Sequence, residues 1–261
     1  MPELPDLEVF RGNLIKQLQD RPLLAITVGN PRNVLPAAGP VLEEFIGKPL
    51  IQIDRIGKEL FFGFPDQRSF AVHLMLNGMF HLCGSGEQAA AIKYPIAAFQ
   101  FPERILVISD PGRLCKVQFM PKPTTVPDAL SSEFTLEYLT GRLNRNPLLN
   151  IKAFLIDQKM VKGIGNAYAD EILWESRIAP QSLCGNLPPA ITSRLHVVIS
   201  KVLQEAITSI LQEAPEIISG EIRGFLKVHN PGRKCSPTGA PIQVKKIASK
   251  TTYFTEEQII F

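Results

Sequence analysis

The chain has 261 residues, enough for two modest domains that each bury a core. Its formal net charge of +3 permits a nucleic-acid partner without requiring one. Cys83, Cys115, Cys184 and Cys235 lack paired spacing, which argues against a disulfide framework and for reduced thiols. No apolar run reaches the length of a membrane span, and the acidic start lacks the basic flank of an export signal. A protein that is not secreted and has no membrane partner is therefore expected.

In chain order, Leu4, Leu7, Leu14 and Leu18 recur at helical spacing and predict a helix from Leu4 to Leu18. Short β-type runs follow at Leu23–Val28, Leu50–Ile56, Leu60–Phe64, Ser69–Leu76, Ala97–Phe101, Ile105–Ser109 and Lys116–Phe119. Turn signals such as Pro65-Asp66 and Pro102-Glu103 separate them, and many short strands after one helix predict a β-sandwich. Met120–Ser132, proline-rich and poor in apolar residues, reads as a linker. Past Glu133 the pattern is helical to about Leu211. Within it, two helical patterns meet at Gly163-Ile164-Gly165, with Asn166 at the entry to the second. The last forty residues return to short β-type segments with Gly and Pro turns. The expected fold is α+β: an N-terminal β-sandwich with flanking helices, a helical domain, and a C-terminal β-hairpin.

Five places carry chemistry. Met1-Pro2-Glu3 offers a secondary amine once Met1 is removed. An α-amine, with a pKa near ~8, is unprotonated at neutral pH about a hundred times more often than a lysine. Glu3 is placed to move protons, although Glu3, Pro5, Asp6 and Glu8 also suit an ordinary helix start. At Asn166 a helix N-terminus offers free N–H groups, a seat for a phosphate; the alternative is a plain αα-hairpin with Asn166 as N-cap. Lys58 follows Gly57 in a turn between strands, where a lysine is more often simply solvated, and His73 lies on a strand, where a lone histidine is more often structural. Finally, Arg223–Lys250 carries seven basic residues and no acid, which fits either a solvated face or a polyanion.

These stretches resemble one family. MPELPDLE is similar to the MPELPEVE start of the formamidopyrimidine-DNA glycosylase / endonuclease VIII family, with Asp6-Leu7 for Glu-Val. IKAFLIDQKMVKGIGN followed by AYADEILWES resembles its helix–two-turn–helix, and His73–Gly78 its HLxMSG segment. The resemblance implies Pro2 as Schiff-base nucleophile, Glu3 as acid/base, and Lys58 in contact with the lesion's phosphate and sugar. It implies DNA-binding roles for His73, Arg113, Lys152, Asn166, Glu171 and Lys250, the last standing where arginine is usual. Leu76 would fill the hole left by a flipped nucleotide. The domains expected are a catalytic β-sandwich at 1–120, a linker at 121–132, a helix–two-turn–helix domain at 133–220, and a finger hairpin at 221–261.

The chain also departs from the family. The usual finger, C-x2-C-x16-C-x2-C, is a zinc signature, but its positions here read Cys235, Thr238, Thr255 and Gln258. A zincless finger is expected, with no metal or cofactor and with Ile242, Val244, Tyr253 and Phe254 packing the hairpin. In Asp110–Cys115, Gly112 replaces the arginine that probes the opposite base and Leu114 replaces an aromatic wedge. The loop that closes over 8-oxoguanine in some relatives is reduced to Gly220–Leu226. The resemblance thus implies a monomeric, bifunctional DNA glycosylase and AP lyase of base excision repair. Its partner would be damaged double- or single-stranded DNA, and its lesions oxidised pyrimidines, hydantoins and ring-opened bases. It would be cytoplasmic and nucleoid-associated in a bacterium, or nuclear in a eukaryote. The rivals are a non-catalytic lesion- or junction-binding protein of the same fold and, more distantly, a ribosome-associated RNA binder.

Overall fold

The computed structural model describes residues 1–261. Helix α1 (Leu4–Leu18) forms where the leucine stripe predicts it. Pro5 sits in its first turn, and the Asp6 carboxylate accepts the Glu3 N–H at 2.8 Å in a capping box. The strands and short helices of the first half follow in order: β1 (Ala25–Val28), β2 (Val34–Leu35), α2 (Pro40–Glu43), β3 (Gln52–Ile56), β4 (Glu59–Gly63), β5 (Ser69–His73), β6 (Met79–Cys83), α3 (Gly86–Ala91), β7 (Pro95–Phe101), β8 (Arg104–Ser109) and β9 (Lys116–Phe119). Each of the seven expected runs overlaps a strand, whereas β2 and β6 were not foreseen.

The strands form two sheets, ordered β1-β7-β8-β6 and β2-β9-β5-β4-β3, with β2 and β9 the one parallel pair. Alternate residues of β4, Leu60 and Phe62, are buried, and the sheets share one core. Phe62 stacks on Phe70 at 4.6 Å and Phe70 on Phe99 at 4.2 Å, so an aromatic column crosses from one sheet to the other. Such pairs contribute roughly 0.5–1.5 kcal/mol each beyond their buried area. Leu7, Phe10, Leu14 and Leu18 bring α1 onto the same core.

The chain packs as two compact units, Met1–Pro123 with Ile210–Glu221, and Thr124–Ser209 with Ile222–Phe261. In the first, Asn13 Nδ2 donates to the carbonyls of Pro215 and Ile217, each at 2.9 Å. Ser219 Oγ accepts the Phe80 N–H and donates to the Phe80 carbonyl. The returning segment is therefore pinned rather than loose.

The second unit holds α4 (Leu136–Arg145), α5 (Ile151–Ile156), α6 (Asn166–Glu175), most of α7 (Pro189–Glu213) and a hairpin of β10 (Gln243–Ile247) with β11 (Lys250–Phe254). Thr135 and Asn150 cap α4 and α5, each side chain accepting a backbone N–H. The N-cap of α6 is Gly165, so Asn166 is its first residue and does not cap it.

Two finger expectations need correction. The paired strands run only over Gln243–Phe254, and at the start of the finger the N–H groups of Lys227, Val228 and His229 go to the Glu171 carboxylate instead of to a ladder. Val244 is 56% exposed and contributes little packing, whereas Phe254 is buried and the Tyr253 ring meets His229 edge-on at 4.7 Å.

Candidate active site and nucleic-acid interface

In the first unit the candidate chemistry gathers around the entry to α1. Pro2 and Glu3 are buried, and the Met1 ammonium pairs with Glu221. One turn on, Glu8 accepts from Arg11 Nε at 2.8 Å and from Arg55 Nε at 2.8 Å. Burial pushes the Glu8 carboxyl up, but the hydrogen bonds from Arg11 and Arg55 outweigh it and leave its pKa below the usual value. Arg55 also donates to the Gly57 carbonyl at 3.3 Å, so this arginine ties the hairpin turn to α1. Gly57 occupies the first turn position with φ 63°, a conformation that favours glycine, and Lys58 follows it, 7% exposed. Neither Glu8 nor Arg55 was singled out as functional. Their pairing spans forty-seven positions, and sequence gave no sign of it.

Two loops of the same unit carry Leu76 and Arg113. His73 Nδ1 accepts the Met75 N–H at 3.0 Å, which orders the turn that leaves Leu76 55% exposed. Gly78 closes that turn, since a Cβ there would overlap the Leu74 backbone. The fully buried Asp110 accepts three backbone N–H groups, from Gly112, Leu114 and Cys115, at 2.6–2.7 Å. This cage holds Arg113 exposed at φ 53°. Asn33 Nδ2 braces it from the other side, donating to the carbonyls of Arg113 and Cys115.

In the second unit Asn166 Nδ2 donates to the Thr251 carbonyl at 2.9 Å, and its Oδ1 is buried without a hydrogen-bond partner. Lys250, the residue before Thr251, is exposed, so the first turn of α6 and the basic end of β11 lie together. Ala248 and Ser249 turn the hairpin with φ 51° and 60°.

Lys152 and Glu171, both expected to contact DNA, lie in the interior of this unit. Lys152 has no exposed surface; its Nζ lies 2.7 Å from Asp170 Oδ1 and 2.6 Å from Thr252 Oγ1. Asp170, likewise fully buried, uses its other oxygen to hold His229 Nδ1 at 2.7 Å and the Tyr253 N–H at 3.0 Å. Glu171 is 4% exposed, and burial raises its pKa despite the three N–H donors that pull it down. Both residues therefore act as interior struts that join α5 and α6 to the finger. Asp170 was not foreseen, although it sits inside the Tyr-Ala-x-Glu string.

Comparison with known proteins follows the same division. The profile of the formamidopyrimidine-DNA glycosylase N-terminal domain matches residues 1–117, and that of the formamidopyrimidine-DNA glycosylase H2TH domain matches residues 126–214. The formamidopyrimidine-DNA glycosylase of Lactobacillus helveticus is 31% identical over the whole of both chains. That of Lactococcus lactis subsp. cremoris is 30% identical, with 97% of each covered. Among solved structures, a complex of Lactococcus lactis Fpg with abasic-site DNA is similar at a TM-score of 0.85 and 27% identity, covering 97% of this chain and 98% of that one. A complex of the Lactococcus lactis protein with DNA containing an oxidised pyrimidine is similar at 0.84 and 28%, with the same coverage.

Proposed function

The chain belongs to the formamidopyrimidine-DNA glycosylase family and is a DNA-binding glycosylase of DNA repair; on that premise we propose that it also cleaves the strand, through a Schiff base on Pro2. The observation that carries this reading is the Met-Pro-Glu start, with the Glu3 backbone fixed at the entry to α1 by Asp6. Removal of Met1 frees the Pro2 nitrogen, whose lone pair attacks C1′ of the damaged nucleotide. Glu3 delivers a proton as the base departs. The Pro2 nitrogen then loses its proton and its lone pair breaks the C1′–O4′ bond, with O4′ taking a proton, to leave a ring-opened iminium. This acidifies the 2′ hydrogen, whose loss expels the 3′ phosphate, with a second elimination at the 5′ phosphate. Lys58, His73, Arg113, Asn166 and Lys250 hold the sugar–phosphate backbone in this reading. Leu76 fills the vacated stack. Lys152 and Glu171 support the finger from within.

Oxidised pyrimidines, hydantoins and abasic sites are the proposed lesions. After α7, Asn13 and Ser219 pin the chain through Ser219, and Arg223 lies over the Tyr168 ring at 5.2 Å. The stretch left between them is too short to close over a flipped purine, and poorly stacked lesions need less recognition. Damaged duplex or single-stranded DNA is the proposed partner and a monomer the proposed state. The test is intact-protein mass spectrometry with abasic DNA and borohydride. An adduct mapped to Pro2 in a chain lacking Met1 is expected. An adduct on Lys58 would overturn Pro2 as the nucleophile, and no adduct at all would favour a lesion-binding protein that does not cut.

A further inference from the structure

Zinc does not fit the finger. A structural site needs four sulfur or nitrogen donors, and of the four positions only Cys235 offers one. The other three are committed elsewhere. Thr238 Oγ1 donates to Glu257 Oε2 at 2.8 Å and lies 2.7 Å from Ser236 Oγ. Thr255 Oγ1 donates to the same carboxylate oxygen at 3.2 Å. Gln258 Oε1 accepts the Thr255 N–H at 2.8 Å, and its Nε2 donates to the Ile178 carbonyl at 2.9 Å. Two groups from the end of α6 and just beyond complete the set. Trp174 Nε1 donates to Glu257 Oε2 at 3.3 Å, and Arg177 pairs with Glu257 Oε1 at 2.7 Å.

We propose that Glu257 is a positioning residue whose carboxylate takes the place of the metal, joining both ends of the finger hairpin to the end of α6 and so setting where Lys250 meets DNA. The topology is that of a metal centre with its sign reversed: a central anion and a shell of donors from three chain segments. Residues 236–238 precede the hairpin, 255–258 follow it, and Trp174 and Arg177 belong to the helical layer. β11 runs from Lys250 directly into Thr255, so a shift at the hub is carried along one short strand to the exposed lysine. The Arg177 side chain, then the Thr238 hydroxyl, hold the Glu257 carboxyl down to about 2, so the hub stays ionised at any pH at which the protein works. Neutral Gln at this position would keep the shape, lose the charge, and turn an N–H₂ group toward at least one donor.

The inference rests on the DNA-binding role of the finger, and its experiment reads binding apart from chemistry. The affinity of the full-length protein for a duplex with a tetrahydrofuran abasic analogue is measured against salt for wild type, Glu257→Gln, Lys250→Ala and the double variant. Losing one phosphate contact lowers the slope of log K against log salt by about 1. Glu257→Gln is expected to lower affinity roughly tenfold and the slope by about 1. On the Lys250→Ala background it should add almost nothing, because the contact it positions is already gone. Borohydride trapping of the wild type on abasic DNA is run as a separate arm that reports the Pro2 chemistry alone. If Glu257→Gln does not fold, Thr255→Val, which removes one donor and keeps the shape, is measured in its place and should show a smaller effect coupled to Lys250 in the same way. An unchanged slope, or losses that simply add to those of Lys250→Ala, overturns the proposal. Failure of wild type to trap would instead sink the Pro2 mechanism and leave the binding result readable.

Discussion

The Asn166 side-chain amide donates to the carbonyl of Thr251, the residue that follows Lys250 in β11. The first turn of α6 and the basic end of the hairpin are thereby fixed to one another, and the proposed phosphate contacts at Asn166 and Lys250 are fixed with them. Lys152 Nζ approaches the same carbonyl at 3.4 Å from inside the unit. Asn166→Asp would turn a carboxylate oxygen toward the Thr251 carbonyl. We expect a stability loss of about 1 kcal/mol from the lost hydrogen bond, and at least a tenfold loss of affinity for abasic-site DNA. Asn166→Ala should share the first effect and show less of the second. Equal affinity for the two variants would mean that Asn166 acts on the hairpin alone.

Lys152 tests the distinction between strut and contact. Its ammonium and the Asp170 carboxylate are both fully buried, and removing the lysine leaves Asp170 held only by the His229 ring and the Tyr253 N–H. Lys152→Ala should destabilise by about 3–5 kcal/mol, read as a large fall in the denaturation midpoint. Per correctly folded molecule, affinity for duplex DNA and its salt slope should hardly change. A slope reduced by about 1 with little stability loss would restore Lys152 as a phosphate contact.

How far this arrangement could be read from the sequence depends on the range of each interaction. The leucine stripe of α1 and the β-type run at Leu60–Phe64 are local and were legible. The Met79–Cys83 strand, MFHLC, lacks clean alternation and lies just before a short helix, so it was missed. The motif positions of Pro2, Lys58, Asn166 and Lys250 were legible because short strings surround them. What those side chains touch was not. Lys152 meets Asp170 eighteen positions away and Thr252 a hundred away, and a charged residue on a helix gives no sign that it is buried. Glu257 was overlooked for a related reason. It stands beside a position where the finger pattern asks for a ligand, and its partners come from Trp174, Arg177, Thr238 and Thr255.

The thiols should divide sharply. Burial pushes Cys115 and Cys184 up to about 12 and raises Cys83 as well, which suppresses the reactive thiolate. Cys235 is exposed. Titration of the native protein with a disulfide reagent at pH 8 should show one fast thiol, and four after denaturation. Alkylation of that thiol should leave DNA binding intact, since Cys235 takes no part in the Glu257 hub. Rapid modification of a second cysteine in the native state would contradict the packing described.

The acid limb of stability should report on Glu257. Its folded pKa is depressed from an ordinary 4.5 to about 2, so its contribution is present above pH 4.5 and is lost as pH falls toward 2. The side chain is 25% exposed, and water screens part of the effect. Glu171 runs the other way. Its raised pKa means that the folded state holds the proton longer, so its contribution falls as pH rises from 4.5 through the folded value. Urea titrations across pH 2–6 should show a shallower acid limb in Glu257→Gln than in wild type. Parallel limbs would place the acid sensitivity at other carboxylates, with Glu8 the first to examine.

Gly112 bears on how the duplex strand opposite the lesion is treated. Its N–H donates to Asp110 Oδ1 at 2.7 Å, and a Cβ built on it would lie 3.2 Å from that oxygen and 3.5 Å from Asn77 Nδ2. The fit is tight but needs a shift of only a few tenths of an ångström, and the backbone is outside the left-handed region that would demand glycine. Gly112→Arg should therefore fold with a stability change within about 1 kcal/mol. With no side chain at this position, wild type should excise a given lesion at rates within a few-fold whichever base stands opposite. Arginine offers a planar set of donors to a base edge, and a good bidentate pair discriminates by about 1–3 kcal/mol. The variant should spread those rates by about tenfold or more, and should lose activity on single strands relative to duplex. The measurement is single-turnover excision of one oxidised pyrimidine opposite each of the four bases, for both proteins. A wild type that already discriminates tenfold among opposite bases would mean that Arg113 or Leu114 does the probing, and that Gly112 is a spacer in the Asp110 cage.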